Sequence, residues 1–319
     1  MTVLDMYSRV NRLRAVREAS MPAPRFNPSA IIPGRRAIQP ALVFQAAQTG
    51  KGETIRPSLG GLRLDRIKPP IPGKTGVAIL SFYDLPSVRR GLESVLAHAK
   101  AGYEVLLFDN SEDWEIGAWM MAKHPTVPYR RSPYNTGCAS ARNRIVEHFG
   151  SLGCELAIIQ DQDVVWEGDA AAPMAEVFRQ YPDTGCATWQ LAVKTMGNHR
   201  WDETGALTPP ESPGMCCMFK MAALCDDYAR RGKAAGHTDA QLMGWYPGYG
   251  LCYRFDSDVC FALWTKGYGV RVVLNGSGLV RHEHPHHGTK RLGARLGVEH
   301  AYSQRVFDER TRKYQWPRL

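Results

Sequence analysis

The sequence has no apolar run long enough to cross a membrane. None of its 319 residues belongs to a stretch approaching ~18 uninterrupted apolar residues, so we expect no transmembrane helix. The first twenty residues contain Arg9, Arg12, Arg14 and Arg17 and no apolar core, which is unlike a secretory signal. We therefore expect a cytoplasmic protein.

The cysteine pattern lacks the spacing of a metal or redox motif. There are eight cysteines, no two of them form a C-x-x-C pair, and most stand among apolar residues. This pattern is typical of reduced, buried thiols and argues against a zinc site or a disulfide framework. Internal repeats and low-complexity segments are also absent from the sequence.

Acidic residues are scarce at the two ends of the chain. The net charge is +9, and residues 1–70 hold 12 Lys and Arg against 4 Asp and Glu. Residues 289–319 hold 8 against 3, so the middle of the chain is slightly acidic. Basic ends of this kind bind nucleic acid or anionic membranes, remain as solvated tails, or wrap a partner subunit, and the sequence leaves these alternatives open.

Proline spacing and charge divide the chain into three parts. Residues 1–72 combine a basic amphipathic helix, expected over about 3–18, with a proline-rich arm that we expect to have little regular structure. This arm is a candidate for holding a homo-oligomer together. Residues 73–288 form the main domain, and 289–319 form a basic C-terminal extension.

From Thr75 the pattern alternates between strands and helices. Short apolar runs predict strands at 77–80, 105–108, 127–130 and 155–160. Helical patterns at 85–99, 113–123 and 137–149 separate them. The alternation predicts an α/β fold with a Rossmann-like, mostly parallel sheet flanked by helices.

Polar side chains follow three of the predicted strands directly. Strand 155–160 ends in Asp161 and Asp163, the second strand ends in Asp109, and the first is followed by Phe82-Tyr83-Asp84. Ligands of open α/β sheets gather at the carboxyl ends of strands. Two carboxylates on a strand end suit Mg²⁺ or Mn²⁺, while Asp84, Asp109 and the rings of Phe82 and Tyr83 suit a nucleoside. Asp84 is equally suited to cap a helix.

A small-residue helix start follows the third strand. The sequence Asn135-Thr136-Gly137-Cys138-Ala139-Ser140-Ala141-Arg142-Asn143 places Gly137 where a backbone can approach a ligand closely. A helix N-terminus attracts phosphate, and Arg142 stands where it could reach a nucleotide. The alternative is an ordinary packing helix.

Taken in order, these motifs resemble those of the inverting family 2 glycosyltransferases of the GT-A fold. The resemblance covers about 75–285 and continues downstream in three elements. These are Gly214 to Phe219, then Phe255-Asp256-Ser257-Asp258-Val259-Cys260 with Lys266-Gly267-Tyr268-Gly269, then Val280-Arg281-His282-Glu283-His284.

The resemblance implies a role for each matching residue. Asp163 and Asp161 would hold Mn²⁺ or Mg²⁺ against a nucleotide-diphosphate sugar donor, with His282 or His284 as a further metal ligand. Phe82, Tyr83, Asp84, Asp109, Asn135, Gly137, Arg142 and Asp161 would bind the nucleotide sugar. Asp256 would be the general base for a displacement that inverts the anomeric carbon.

The chain departs from the family pattern at Phe255, where the family has Glu, and at Phe82 and Asp84, where it has Thr and Asn. Trp201, Glu203 and Tyr249 lie where the family places its acceptor loops, and Glu203 is the reserve candidate for the base.

Other functions remain as alternatives to a sugar transferase acting on a glycan or protein hydroxyl. One is a catalytically inactive GT-A domain that binds a nucleotide or glycan. Another is a glycosyltransferase acting on hydroxymethyl-pyrimidines in DNA, with the basic ends holding the DNA. A nucleotidyltransferase is disfavoured because no Gly-rich loop with trailing Arg and Lys follows the first strand.

Overall fold

The structure, a computed structural model, describes residues 62–132, 134–189, 200–208, 215–226, 243–249, 254–273, 278–283, 295–314 and 316. The expected helix at 3–18 and most of the proline-rich arm lie outside these residues. Near residue 62, the first described residue, a single 3₁₀ turn at Leu64–Arg66 leads into the first strand.

A seven-stranded sheet forms the centre of the fold, in the order β10-β6-β9-β4-β1-β2-β3. Strand β9 is antiparallel to its neighbours, and the other pairs in this sheet are parallel. Two small antiparallel pairs, β5 with β11 and β7 with β8, accompany it. The strands are β1 (Ile71–Ser81), β2 (Glu104–Asp109), β3 (Tyr129–Arg131), β4 (Cys154–Asp161), β5 (Val164–Trp166), β6 (Thr184–Trp189), β7 (Arg200–Trp201), β8 (Leu207–Thr208), β9 (Cys216–Lys220), β10 (Gly269–Val273) and β11 (Val280–His282).

Helices cover both faces of the sheet because its central strands are apolar on both sides. Ala78 and Leu80 of β1 face one core with α3, α6 and α7, whereas Val77 and Ile79 face the other with α1, α2 and α4. The helices are α1 (Leu85–His98), α2 (Glu115–Lys123), α3 (Cys138–Ser151), α4 (Ala171–Gln180), α5 (Met221–Cys225), α6 (Phe255–Thr265) and α7 (Arg295–Tyr314).

This architecture confirms the predicted α/β class and its mostly parallel sheet. Every strand and helix predicted between 77 and 160 is present. The ends differ by one or two residues, except that β1 begins six residues earlier than predicted, at Ile71. The cysteines that the structure describes are all free, and five of these seven are buried. Across the described residues, no helix is both long and apolar enough to span a bilayer.

Candidate functional site

The carboxyl ends of three strands bring the predicted carboxylates to one edge of the sheet. In the register of β1, Leu80 pairs with Asp161 of β4 and Ser81 pairs with Asp109 of β2. The two aspartates therefore lie on either side of the end of β1. This is the edge where parallel α/β sheets bind their ligands.

Arg142 of α3 connects two carboxylates that are far apart in the sequence. Its Nη2 donates to Asp161 Oδ1 at 3.0 Å, and its Nη1 lies 3.8 Å from Asp256 Oδ1. The guanidinium stacks 5.1 Å from the ring centre of Phe255 and 5.8 Å from that of Trp245. The side chain is only 1% exposed, so it is held as a fixed bridge between the end of β4 and the start of α6.

The two carboxylates hold the charge of this arginine in place. Burial alone would lower the pKa of Arg142, but Asp256 and Asp161 hold it above its ordinary value. The pKa of Asp161 is raised as well. Burial raises its pKa to about 7, Arg142 opposes that rise, and the nearby carboxylates of Asp163 and Asp256 add to it.

Asp163 lies against His282 of the short strand β11. Its Oδ2 is 3.1 Å from His282 Nε2. The contact is set by the pairing of β11 with β5, in which His282 stands opposite Val164, and by the Glu283 amide, which donates to the Asp163 carbonyl at 3.0 Å. Burial lowers the pKa of His282, but the hydrogen bond and charge of Asp163, with Asp161, raise it above the ordinary value overall.

These side chains suit a divalent cation by their chemistry. Asp161 and Asp163 offer hard oxygen ligands and His282 offers an imidazole nitrogen, a mixed set that Mn²⁺ accepts. In the described part of the chain, no three His, Cys, Asp or Glu side chains converge on one point. A cation here would depend on further ligands, such as donor phosphates. His284 lies outside the described residues.

The turn after β1 has an unusual backbone. Tyr83 and Asp84 both have positive φ angles, 56° and 51°. This left-handed region is costly for residues with a Cβ, and such strain concentrates at functional sites. The Phe82 amide donates to Gln162 Oε1 at 2.6 Å, and the Tyr83 amide donates to Ser111 Oγ at 2.7 Å. The turn is therefore tied to the Asp-Gln-Asp segment on one side and to the end of β2 on the other.

Asp84 immediately precedes helix α1. Its carboxylate Oδ2 accepts a hydrogen bond from Ser87 Oγ at 2.7 Å, and its carbonyl accepts from the amides of Ser87 and Val88. Asp84 therefore occupies the N-cap position of α1, but its carboxylate bonds to the Ser87 hydroxyl and not to a backbone amide of the helix. The predicted contact with the nucleoside stays a prediction.

Asp109 is fully buried, and its carboxylate is occupied by protein donors. Oδ1 accepts from the Ser111 amide at 2.9 Å and Oδ2 accepts from the Tyr129 hydroxyl at 2.8 Å. Burial, followed by the Asp109 charge, raises the pKa of Tyr129 well above its ordinary value. These contacts fix the end of β2.

An amide network holds the start of α3. Asn110 Nδ2 donates to Asn135 Oδ1 at 2.9 Å, and Asn110 Oδ1 accepts from the Thr136 amide at 3.0 Å. The Gly137 amide also donates to Asn135 Oδ1 at 2.9 Å. Gly137 has φ 81°, a conformation that favours glycine, so the motif residues Asn135 and Gly137 shape the turn that leads into Arg142.

Asp256 lies in the first turn of α6. The residue just before this helix has a left-handed backbone, like Tyr83 and Asp84. Arg254, just before the helix, has φ 62°. The non-glycine residues with positive φ in the described part of the chain are Tyr83, Asp84 and Arg254, and all three flank the proposed site. The Asp256 side chain is 17% exposed, so it is accessible while held beside Arg142.

The three residues predicted on the acceptor side, Trp201, Glu203 and Tyr249, differ in their burial and contacts. Tyr249 is buried and its hydroxyl donates to Asp258 Oδ1 at 3.1 Å. Trp201 packs against the core, while Glu203 is exposed in the turn between β7 and β8. Within the described residues, Glu203 forms no hydrogen bond or ion pair with a site carboxylate or with Arg142. Its neighbour Thr204 bonds instead to Arg271, which also binds Asp183, just before β6.

Several residues that organise the site were not singled out from the sequence. Asn143 forms two hydrogen bonds with the backbone of Trp245, at 2.8 and 2.9 Å, and so places that ring near Arg142. Gln162, inside the Asp-x-Asp motif, anchors the turn at Phe82. Asp258 is paired with Arg310 of α7. Asn143 was signalled by the Ala-Arg-Asn motif, but no sequence spacing connects Asp258 with Arg310.

Comparison with known proteins identifies the family of the central segment. Residues 77–229 match the model described as glycosyl transferase family 2. This match includes Asp161, Asp163 and Arg142 and ends before Asp256 and His282. No individually curated protein matches the chain.

Three solved structures are similar to part of the fold. A mannosyltransferase from Pyrobaculum calidifontis, in complex with GDP-Man and Mn²⁺, is 17% identical with a TM-score of 0.43, over 67% of this chain and 61% of its own. GalNAc-T7 with UDP, GalNAc and Mn²⁺ is 13% identical with a TM-score of 0.45, over 62% and 42%. TarS from S. aureus is 13% identical with a TM-score of 0.43, over 71% and 39%. The chain thus spans less than two thirds of each of these proteins.

The family match agrees with the motif order, and the sheet has the mostly parallel α/β arrangement expected for that order. The resemblance to family 2 glycosyltransferases is therefore confirmed for residues 77–229 of this chain.

Proposed function

We propose that this protein is a metal-dependent glycosyltransferase that moves a sugar from a nucleotide-diphosphate sugar to an acceptor hydroxyl with inversion. The observation that carries the proposal is the bridge from Asp161 through Arg142 to Asp256. It joins the carboxylate of the Asp-x-Asp motif to the proposed base, although 95 residues separate them. A transferase needs both groups in one site.

The donor would bind along the carboxyl ends of β1, β2 and β4. Asp161, Asp163 and His282 would hold Mn²⁺ or Mg²⁺ together with phosphate oxygens of the donor, and the cation would stabilise negative charge on the departing diphosphate. The turn at Phe82-Tyr83-Asp84 and the helix start at Gly137 lie beside this edge and are suited to the nucleoside and the phosphates. Arg142 is buried between two carboxylates, so we assign it to positioning rather than to direct phosphate binding.

Asp256 would act as the general base. As the acceptor oxygen bonds to the anomeric carbon, its proton moves to the Asp256 carboxylate and the bond from that carbon to the phosphate oxygen breaks. The nucleoside diphosphate leaves with that bonding pair. Because the attack is opposite to the leaving group, the product has the inverted configuration.

The retained carboxylates favour this function over an inactive binding domain. A domain that only binds a nucleotide has no need of a base beside the Asp-x-Asp motif. The acceptor is proposed as a hydroxyl on a glycan or protein, and a hydroxymethylated DNA base is the alternative that the basic ends of the chain favour. DNA binding that weakens steeply with added salt would support that alternative.

A panel of nucleotide sugars tests the donor half of the proposal. Binding and slow hydrolysis would be measured with Mn²⁺ and with EDTA, for the wild type and for Asp163→Ala. We expect one donor to bind in a metal-dependent manner and that binding to be lost in Asp163→Ala. Glu203→Gln is the matched control because its carboxylate is exposed, and it should bind as the wild type does. Equal binding with EDTA would contradict the proposed metal dependence.

A further inference from the structure

We propose that the C-terminal helix α7 positions the general base, with Arg310 as its principal positioning residue. The inference rests on the proposed function of Asp256 and extends it to a part of the chain outside the family match. Helix α7 contacts the chain on both sides of that base. The first contact is at Arg254, which immediately precedes α6, and the second is at Asp258 in the first turn of α6.

The contact after the base is a buried ion pair. Arg310 Nη2 donates to Asp258 Oδ2 at 3.2 Å, and its Nε donates to Oδ1 of the same carboxylate. The two side chains are 5% and 1% exposed. A two-point contact between a guanidinium and a carboxylate fixes orientation as well as distance. Asp258 is therefore bound to α7, and this contact holds the first turn of α6 in place.

Aromatic rings restrain Arg310 itself. Its guanidinium carbon lies 4.2 Å from the ring centre of Tyr246, 5.1 Å from that of Tyr314 and 5.4 Å from that of Trp316. The Tyr249 hydroxyl donates to the same Asp258 carboxylate at 3.1 Å. The ion pair therefore has little freedom to shift, and neither does the helix turn that it holds.

The contact before the base supports a strained backbone. Arg254 has the left-handed conformation that begins α6, and its Nε donates to Gln304 Oε1 at 2.9 Å. Its guanidinium also lies over Phe307 at 5.4 Å. Strained residues persist when their surroundings fix them, and here α7 provides those surroundings.

Further contacts extend along α6 and to the neighbouring segment. Trp316 stacks on Phe261 at 5.4 Å and its Nε1 donates to Thr265 Oγ1 at 2.8 Å. The Tyr302 hydroxyl donates to the Gly248 carbonyl at 3.1 Å, which holds the segment carrying Trp245. Loosening α7 would therefore move Asp256 relative to Arg142 and the bound donor, and small displacements of a catalytic group cost roughly 10²-fold in rate.

The test compares Arg310→Lys with the wild type and with Arg312→Lys. Lysine keeps the charge but cannot make the two-point contact, and Arg312 is an exposed arginine on the same helix. We expect Arg310→Lys to lower kcat by roughly 10- to 100-fold while KM for the donor and metal-dependent donor binding change less than about twofold. Arg312→Lys should match the wild type.

Two further measurements separate positioning from simple loss of folded protein. The acid limb of the kcat–pH profile should move in Arg310→Lys, since the surroundings of the base change, and amide exchange at residues 255–260 should become faster. If Arg310→Lys fails to fold, Gln304→Met removes the Arg254 contact, together with the exposed hydrogen bond from Gln304 Nε2 to Asp308 Oδ1, and leaves the Asp258–Arg310 pair intact. It should lower kcat in the same direction by a smaller factor.

The outcomes distinguish failure of the positioning role from failure of the proposed function. If the wild type transfers sugar and folded Arg310→Lys has an unchanged kcat, the positioning role is wrong. The same holds if donor KM rises while kcat stays constant. If the wild type binds donors but transfers sugar to no acceptor hydroxyl, the proposed function fails and the role of α7 as a support for the base fails with it.

Discussion

Arg142 donates a 3.0 Å hydrogen bond to Asp161 from a guanidinium that is almost completely buried. The bond joins the middle of α3 to the end of β4. Because the other side of the same guanidinium faces Asp256, Arg142 carries positive charge between two carboxylates that would otherwise repel each other. The site is therefore organised around a residue that need not touch the substrate.

Replacing Arg142 should damage both stability and activity. In Arg142→Met the carboxylates of Asp161 and Asp256 lose their shared cation, and breaking such a buried pair costs about 3 kcal/mol or more. The loss of unfolding free energy should be close to that minimum, because the Asp161 side chain is partly exposed to solvent. Urea unfolding measures the first effect. Arg142→Lys, which keeps the charge, should lose less stability yet still lose sugar transfer, and equal transfer in Arg142→Lys would contradict the bridging role.

Gly91 of α1 packs directly against the Asp-x-Asp segment. A Cβ at this position would lie 2.4 Å from the Gln162 carbonyl oxygen, so Gly91→Ala must push that backbone away. We expect metal-dependent donor binding to weaken by roughly tenfold or more, as measured by titration calorimetry. Gly297→Ala on α7 is the control, because a Cβ there meets no atom of the described residues within 4 Å. Equal binding by both variants would show that the segment tolerates displacement.

His148, near the end of α3, should make the protein sensitive to acid. Burial, helped by the charge of Arg130, lowers its pKa to about 4 from the ordinary 6.5. Between those values the unfolded chain binds a proton that the folded chain does not, so stability falls as the pH drops from about 6.5 towards 4. The difference in urea midpoint between pH 7 and pH 4.5 should be smaller in His148→Gln than in the wild type. An equal difference in both proteins would contradict this assignment.

Tyr249 was expected on the acceptor side, but its buried hydroxyl bonds to Asp258. Tyr249→Phe removes a hydrogen bond to a charged group, which is worth about 1.5–3 kcal/mol. We expect lower stability in thermal unfolding and an unchanged KM for the acceptor. A raised acceptor KM without loss of stability would support the acceptor-side prediction for Tyr249.

The sequence predicted the strand ends well because local patterns determine them. Apolar runs that stop at Asp109 and Asp161 place these residues at one sheet edge, once the sheet is parallel. The meeting of Asp163 with His282 also followed from the family motif. These features depend on strand register, which the hydrophobic pattern specifies strongly.

Side-chain partners were less accessible to sequence reasoning. Arg142 was assigned to the nucleotide because it follows a glycine-containing helix start, yet its burial and its two carboxylates became visible only in three dimensions. The pairing of Asp258 with Arg310 spans 52 residues and has no motif. From the sequence, the C-terminal extension was characterised only by its charge. The sequence pattern of a helix such as α7 does not reveal that it will pack on α6.

Sugar transfer by Asp256→Asn is the decisive test of Asp256 as the general base of an inverting transferase. The variant and the wild type would be given the same donor, Mn²⁺ and acceptor, and the anomeric configuration of the product would be read by NMR. We expect Asp256→Asn to bind the donor as tightly as the wild type but to transfer sugar roughly 10²-fold more slowly or worse. The wild-type product should be inverted. Normal transfer by Asp256→Asn, or a product of retained configuration, would contradict this role of Asp256.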